Sequence, residues 1–97
     1  MKKNPVPGKP AEQLHDLVSV GPATLKDFKL LGIRTLEQLA QQDAQELYER
    51  LCFITHQKHD ICCLDVFVAA IEQARNPYLP EEQKQWYYWS RKRKHGA

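Results

Sequence analysis

The stretch SVGPATLKDFKLLGIRTLEQL, Ser19 to Leu39, contains the turn on which the fold depends. Within it, Val20-Gly21-Pro22 separates two segments whose apolar residues recur at helical spacing. Pro22 predicts a helix start, because proline is favoured in the first turn of a helix, where its missing N–H costs nothing. Two interpretations of the turn remain open: it aims backbone N–H groups at a phosphate, or it only lets two helices pack together.

Apolar periodicity on both sides of this turn predicts an all-α chain. We expect helices from Pro10 to Val18 and from Pro22 to Leu31, with Gly32 as a C-terminal stop. Capping-box patterns predict two further starts, at Thr35 and at Asp43. The second of these opens a helix that ends before the polar loop THQKHD.

The C-terminal half is predicted to contain the central buried helix. Asp60 can cap the segment ICCLDVFVAAIEQAR, residues 61–75, which is apolar around most of its circumference. Pro80 then restarts a helix through PEEQKQWYYWSRKRK, in which we expect Trp86 and Trp89 to pack on the core. The expected architecture is a compact bundle of five to six short helices.

A weak internal repeat relates the first two helical units. A shift of 22 positions aligns the apolar residues Leu14, Leu17, Val18 and Leu25 with Leu36, Leu39, Ala40 and Leu47. The same shift places Gly21-Pro22 on Asp43-Ala44, so the second copy of the turn is degenerate. Glycine leaves room for an outside group, whereas an aspartate cap fills its own helix end. If one turn meets phosphate, it is therefore the first.

Length and charge suggest one domain with a basic end. We expect residues 1–9 to be a flexible leader, residues 10–90 to form the helical domain and residues 91–97 to form a basic C-terminal tail. The net charge is +2, but Arg91 to Lys94 carry four of the 14 basic residues, which leaves ten against twelve acidic ones. Removal of the tail is expected to affect folding little.

Three cysteines, two of them adjacent, fit no disulfide framework, so we expect a reducing, cytoplasmic location. No apolar run is long enough to span a membrane, and the N-terminus lacks the apolar region of a secretory signal.

The segment HQKHDICC brings together four residues of types that bind zinc: His56, His59, Cys62 and Cys63. Their spacing is not that of a standard zinc finger, and adjacent cysteines are geometrically awkward ligands, so we expect no metal and no cofactor. Nothing indicates an oxyanion hole or a substrate pocket beside a Cys–His pair, so we expect no enzyme.

Another pair of titratable groups, Asp65 and Glu72, lies seven residues apart on one face of the apolar helix. We interpret this face as its solvent edge rather than as an acid–base pair.

The segment LHDLVSVGPATLKDFKLLGIRTLEQLA resembles a helix-hairpin-helix unit, written as helix, apolar-x-Gly-apolar-Gly, helix, with Leu17 to Gly21 at the five hairpin positions. More narrowly, the segments GPATLKDFKLLGI, ELYERLC, HDICCLDVF and QWYYWSRKRK resemble the bacterial pathogenicity locus helix-hairpin-helix family, some members of which are named mitomycin resistance protein. The resemblance covers Leu14 to Lys94.

The hairpin resemblance implies sequence-independent DNA binding through backbone N–H groups and phosphates. The mitomycin resistance name within the family suggests a DNA-damage context. Two positions depart from the pattern: the first hairpin glycine is Ser19, and Ala23 stands where DNA-binding hairpins often have lysine. The candidate nucleic-acid-binding residues are Ser19, Val20, Gly21, Thr24, Lys26, Lys29, Arg91, Lys92, Arg93 and Lys94. The alternative is a protein-interaction module, with the hairpin purely structural and the aromatic C-terminal helix as its contact surface.

Overall fold

The computed structural model describes residues 10–96, and these residues form only helices and connecting turns. The five α-helices are α1 Pro22–Leu31, α2 Leu36–Ala40, α3 Ala44–Thr55, α4 Cys62–Arg75 and α5 Trp86–Gly96. Short 3₁₀ turns occur at Leu14–Asp16 and Glu81–Lys84. The all-α prediction is confirmed, whereas the leader expected at residues 1–9 lies outside the described residues.

Local capping chemistry sets the ends of α1, α2 and α3. Gly32 ends α1 with a φ of 79°, a left-handed conformation that glycine adopts without a steric penalty. The hydroxyl of Thr35 accepts a hydrogen bond from the Gln38 N–H at 3.0 Å. The carboxylate of Asp43 accepts one from the Glu46 N–H at 3.1 Å. Both predicted capping positions are therefore confirmed.

The helix predicted from Pro10 to Val18 is wrong, because only the turn Leu14–Asp16 forms there. Leu17 has an extended backbone, with φ −68° and ψ 134°, which stops the turn. The Val18 N–H then donates to the side-chain oxygen of Gln73 in α4, at 2.9 Å, rather than to a helical carbonyl. A contact 55 residues away thus replaces the local hydrogen bond that the pattern predicted.

Helix α4 is the central element, as predicted, and packs against α2, α3 and α5. The ring of Phe67 stacks on Phe28 of α1 with 5.6 Å between ring centroids, and both rings are fully buried. Burial of large apolar side chains around α4 is the main stabilising term of this fold. None of the helices in residues 10–96 has the length and apolar character needed to cross a membrane.

The last helix begins later and ends later than its sequence pattern predicts. Gln85 breaks the segment after Pro80 with an extended backbone, φ −92° and ψ 135°, and α5 starts at Trp86. Residues 91–96 continue α5, although the sequence suggested a tail that begins at residue 91. Trp86 is 37% exposed, so its expected packing on the core is wrong, whereas Trp89 is half-buried.

The 22-residue repeat is visible in the order of the elements. The turn at Leu14 and the helix at Pro22 have counterparts that start 22 residues later, at Leu36 and Ala44. The residues that precede α1 and α3, Gly21 and Asp43, both have extended backbones. The two units therefore share their layout and differ in how each second helix is capped.

Candidate nucleic-acid interface

The turn before α1 leaves open space at Gly21. Its backbone has φ −108° and ψ −173°, a conformation that any residue adopts. A Cβ atom built on Gly21 meets nothing within 4 Å. Neither strain nor crowding within the described residues therefore requires glycine, and among those residues the space beside Gly21 is open.

Helix α1 begins without a side-chain cap. In the described part of the chain, no side chain accepts a hydrogen bond from the N–H groups of Ala23 and Thr24, and the first helical bond runs from Leu25 N–H to Gly21 C=O at 3.0 Å. Uncapped N–H groups and the helix dipole give this end a partial positive charge. In contrast, α2 and α3 are capped by Thr35 and Asp43.

Two lysines follow this end of α1 on one exposed face. Lys26 and Lys29 lie four and seven residues after Pro22, a spacing that keeps all three on the same side of the helix, and all three are exposed. Asp27 lies on another face and is half-buried. Burial raises the pKa of its carboxyl above the ordinary value, while His59 and Lys26 partly offset that rise. The exposed face of α1 is therefore cationic.

The other predicted residues of the turn have structural side chains. The hydroxyl of Ser19 donates to the backbone carbonyl of Val66 in α4, at 3.4 Å. Val20 is buried in the core, and Thr24 is half-buried. The backbone of Val20 is also engaged, since its N–H donates to the Leu17 carbonyl at 3.1 Å.

The predicted basic residues of α5 divide into two groups. Arg91, Lys92 and Lys94 are exposed. Arg93 instead donates from Nε and Nη2 to the two carboxylate oxygens of Asp65, at 2.9 and 2.8 Å. Asp65 is only 1% exposed, so its placement on a solvent edge of α4 is wrong: it lies under α5 and is neutralised by Arg93. A carboxylate flanked on both sides by apolar residues, in CCLDVFV, was the available signal for such a buried pair.

The turn and α5 attach to neighbouring residues of α4. Ser19 bonds to the carbonyl of Val66, and Arg93 bonds to the side chain of Asp65, one residue earlier. The sequence separates these two basic regions by about seventy residues, and no local pattern relates them. The fold thus brings both to the N-terminal half of one helix.

The His/Cys segment forms hydrogen bonds within the protein. The ring Nε2 of His59 lies 2.8 Å from the hydroxyl of Thr55, which itself donates to the Leu51 carbonyl at 2.7 Å. Because that hydroxyl has only one proton, Nε2 of His59 is the donor in this pair. No group of three or more His, Cys, Asp or Glu residues suited to a metal ion occurs within residues 10–96.

The two adjacent thiols are held in their protonated form. A hydrogen bond to Asp60 is the main cause that raises the pKa of Cys62. Burial raises the pKa of Cys63 to about 11, and Asp27 adds to this rise. A thiol in this state is a poor nucleophile and a poor metal ligand at neutral pH.

Comparison with known proteins gives the family. The model of the pathogenicity locus family matches residues 8–95, and this chain therefore belongs to that family. The chain is similar to the mitomycin resistance protein McrB of Streptomyces lavendulae, with 36% identity over 81 residues, which cover 84% of this chain and 73% of that protein. No solved structure matches the chain.

Proposed function

We propose that the protein binds DNA without catalysis and largely without regard to sequence, through phosphate contacts at the start of α1. The observation that carries the proposal is the uncapped helix end behind Gly21, which combines free N–H groups, open space and the exposed cations Lys26 and Lys29. Oriented N–H groups and a helix dipole favour an anion, and nearby lysines add longer-range attraction. Arg91, Lys92 and Lys94 of α5 supply further cations.

The relatives are consistent with a role related to DNA damage. The similar protein from Streptomyces lavendulae is named for mitomycin resistance, and mitomycin damages DNA. A helix-hairpin-helix unit that binds phosphates would let a small protein act at DNA of any sequence.

A second candidate function, protein interaction, is supported by a different surface. Phe53 is 80% exposed at the end of α3 and, with Ile54, lines a groove of about 480 Å³ flanked by Glu46, Glu49 and Arg50. An aromatic ring this exposed is typical of a contact surface. This groove is apolar and has two carboxylates at its rim, whereas the start of α1 is cationic. Substitutions at one surface can therefore test one candidate function without changing the residues of the other.

Substitution of Gly21 by Asp tests the DNA proposal. The aspartate would cap α1 as Asp43 caps α3, so stability should be unchanged or raised by a few tenths of a kcal/mol. The same carboxylate would occupy the N–H groups and repel phosphate, so duplex DNA affinity should fall at least about tenfold.

Two controls complete this experiment. Gly21→Asn supplies a cap without charge and should also weaken binding, though less, while Asp43→Asn keeps a cap in the second unit and should leave binding unchanged. Retention of full DNA affinity by both Gly21 variants, with the fold intact by circular dichroism, would contradict the proposal.

A further inference from the structure

The outward face of α5 carries only aromatic and basic side chains. Its inner face is marked by Ser90, which is buried, and by Arg93, which is bonded to Asp65. The side of the helix opposite Ser90 and Arg93 presents Tyr87, Tyr88, Arg91, Lys92, Lys94 and His95. The helix contains no acidic residue and no aliphatic one. We call these six residues the aromatic–basic face.

A cation lies over each tyrosine ring of this face. The guanidinium of Arg91 lies 5.5 Å from the centre of the Tyr87 ring, and the ammonium of Lys92 lies 6.0 Å from that of Tyr88. Tyr87 is 46% exposed, and a shallow groove of about 350 Å³ runs along Tyr88, Arg91, Lys92 and His95. One strip of surface therefore offers flat rings and positive charge side by side.

We propose that the aromatic–basic face binds single-stranded nucleic acid, with unpaired bases on the tyrosine rings and phosphates on Arg91 and Lys92. This inference rests on the proposed function and names its substrate class, DNA that contains an unpaired strand. Every base has a π-face, so stacking on a tyrosine tolerates any sequence, and cations placed beside the ring meet the adjacent backbone. In a duplex the bases are stacked on one another, and these rings would have no partner.

A membrane surface fits this face less well. Basic helices that lie in a lipid interface insert an apolar face into the acyl region, and the outward face of α5 has no aliphatic side chain to insert. Its tyrosines have hydroxyl groups and neighbouring cations, which suit bases and phosphates. Charge and ring chemistry together therefore favour a nucleic-acid strand over lipid.

The test measures the affinity of the full chain for four probes by fluorescence anisotropy. The probes are labelled oligothymidylate, an abasic oligomer of the same length, a duplex of the same length and, in competition, vesicles of anionic phospholipid. The wild-type protein should bind oligothymidylate at least about fivefold more tightly than the abasic oligomer, because only the former has bases to stack. Tyr87→Ala should remove this difference and leave duplex affinity unchanged.

Two variants serve as controls. Tyr87→Phe keeps the ring and should retain wild-type affinity. Tyr78→Ala removes a tyrosine that is 76% exposed but lies outside α5, and it should change nothing. The stacking proposal is contradicted if wild-type protein binds oligothymidylate and the abasic oligomer equally, or if Tyr87→Ala retains the preference for oligothymidylate. It is also contradicted if the vesicles, rather than oligothymidylate, occupy the aromatic–basic face.

Duplex binding separates this inference from the proposed function. If duplex affinity depends on Gly21 but oligothymidylate binds no more tightly than the abasic oligomer, only the role of the tyrosines is overturned. Absence of binding to duplex and oligothymidylate alike would overturn both.

Discussion

Cys63 shows how a single residue can be assigned to structure rather than chemistry. It lies half-buried on α4, in the electrostatic neighbourhood of Asp27 and Cys52. Burial is the main cause that raises its pKa to about 11, and the nearby carboxylate acts in the same direction. At neutral pH this side chain is a small apolar thiol that packs against the hydrophobic core.

This assignment predicts slow alkylation of Cys63 in the folded protein. A rise in pKa from the ordinary value of 9.0 to about 11 lowers the thiolate fraction at pH 8 about a hundredfold. Iodoacetamide should therefore modify Cys63 about a hundred times more slowly in the folded than in the urea-unfolded chain, as measured by peptide mass spectrometry. The folded rate should keep rising with pH up to about pH 11. Equal rates in both states at pH 8 would contradict the assignment.

Residue-level inference from sequence succeeded where the cause is local. Thr35 and Asp43 were predictable as caps, because a capping bond spans only three residues. The expected position of Asp65 on the solvent edge of α4 was wrong, because its partner Arg93 is 28 residues away. Helical periodicity does not indicate which charged residue will be covered by another helix. The sequence indicated the aromatic C-terminal helix as a contact surface, but it could not indicate that Tyr87 and Tyr88 share one face with Arg91 and Lys92, because that depends on which side of α5 the rest of the fold covers.

At the scale of the elements, α5 is held to α4 by a buried charge pair as well as by packing. Arg93 reaches the almost fully buried Asp65 with two short hydrogen bonds. Removal of residues 91–97 would remove this arginine, so the expectation that such a truncation affects folding little no longer holds. A carboxylate that loses its only cation inside a protein is strongly destabilising.

Replacement of Arg93 by Met should lower the free energy of unfolding clearly more than replacement of an exposed cation does, because the buried carboxylate of Asp65 loses its partner. Lys94→Met is the matched control, since it removes an exposed cation one residue later and should cost no more than about 0.5 kcal/mol. Urea denaturation followed by circular dichroism measures both values. Equal stabilities of the two variants would show that the Asp65 pair does not hold α5 in place.

Element boundaries could be predicted where start and stop signals are strong. Pro22 and Gly32 delimit α1 by their backbone preferences alone. The helix predicted from Pro10 did not form, because the Val18 N–H is bonded to the side chain of Gln73 in α4. A tertiary contact thus overrides a short apolar period. The C-terminal helix broke at the extended backbone of Gln85, for which the sequence pattern has no signal.

At the scale of the whole molecule, the turn before α1 and helix α5, which carry the two cationic regions, are both hydrogen-bonded to α4. The chain as a whole carries only two net positive charges, so attraction for DNA depends on where its cations lie rather than on their number. The turn contributes Lys26 and Lys29, and α5 contributes its aromatic–basic face, with Ser19 and Arg93 anchoring the two regions at successive α4 residues. The central claim is that the first of these regions contacts phosphate.

The salt dependence of duplex DNA affinity tests that claim most directly. The variant Lys26→Gln/Lys29→Gln should flatten the plot of log affinity against log salt by about 1.8 units, because each phosphate contact contributes about 0.9. The control Gln41→Glu/Gln57→Glu lowers net charge by the same amount at exposed positions outside the site and should leave the slope unchanged. An unchanged slope in the lysine variant, or the absence of DNA binding by wild-type protein at about 50 mM salt, would contradict the account.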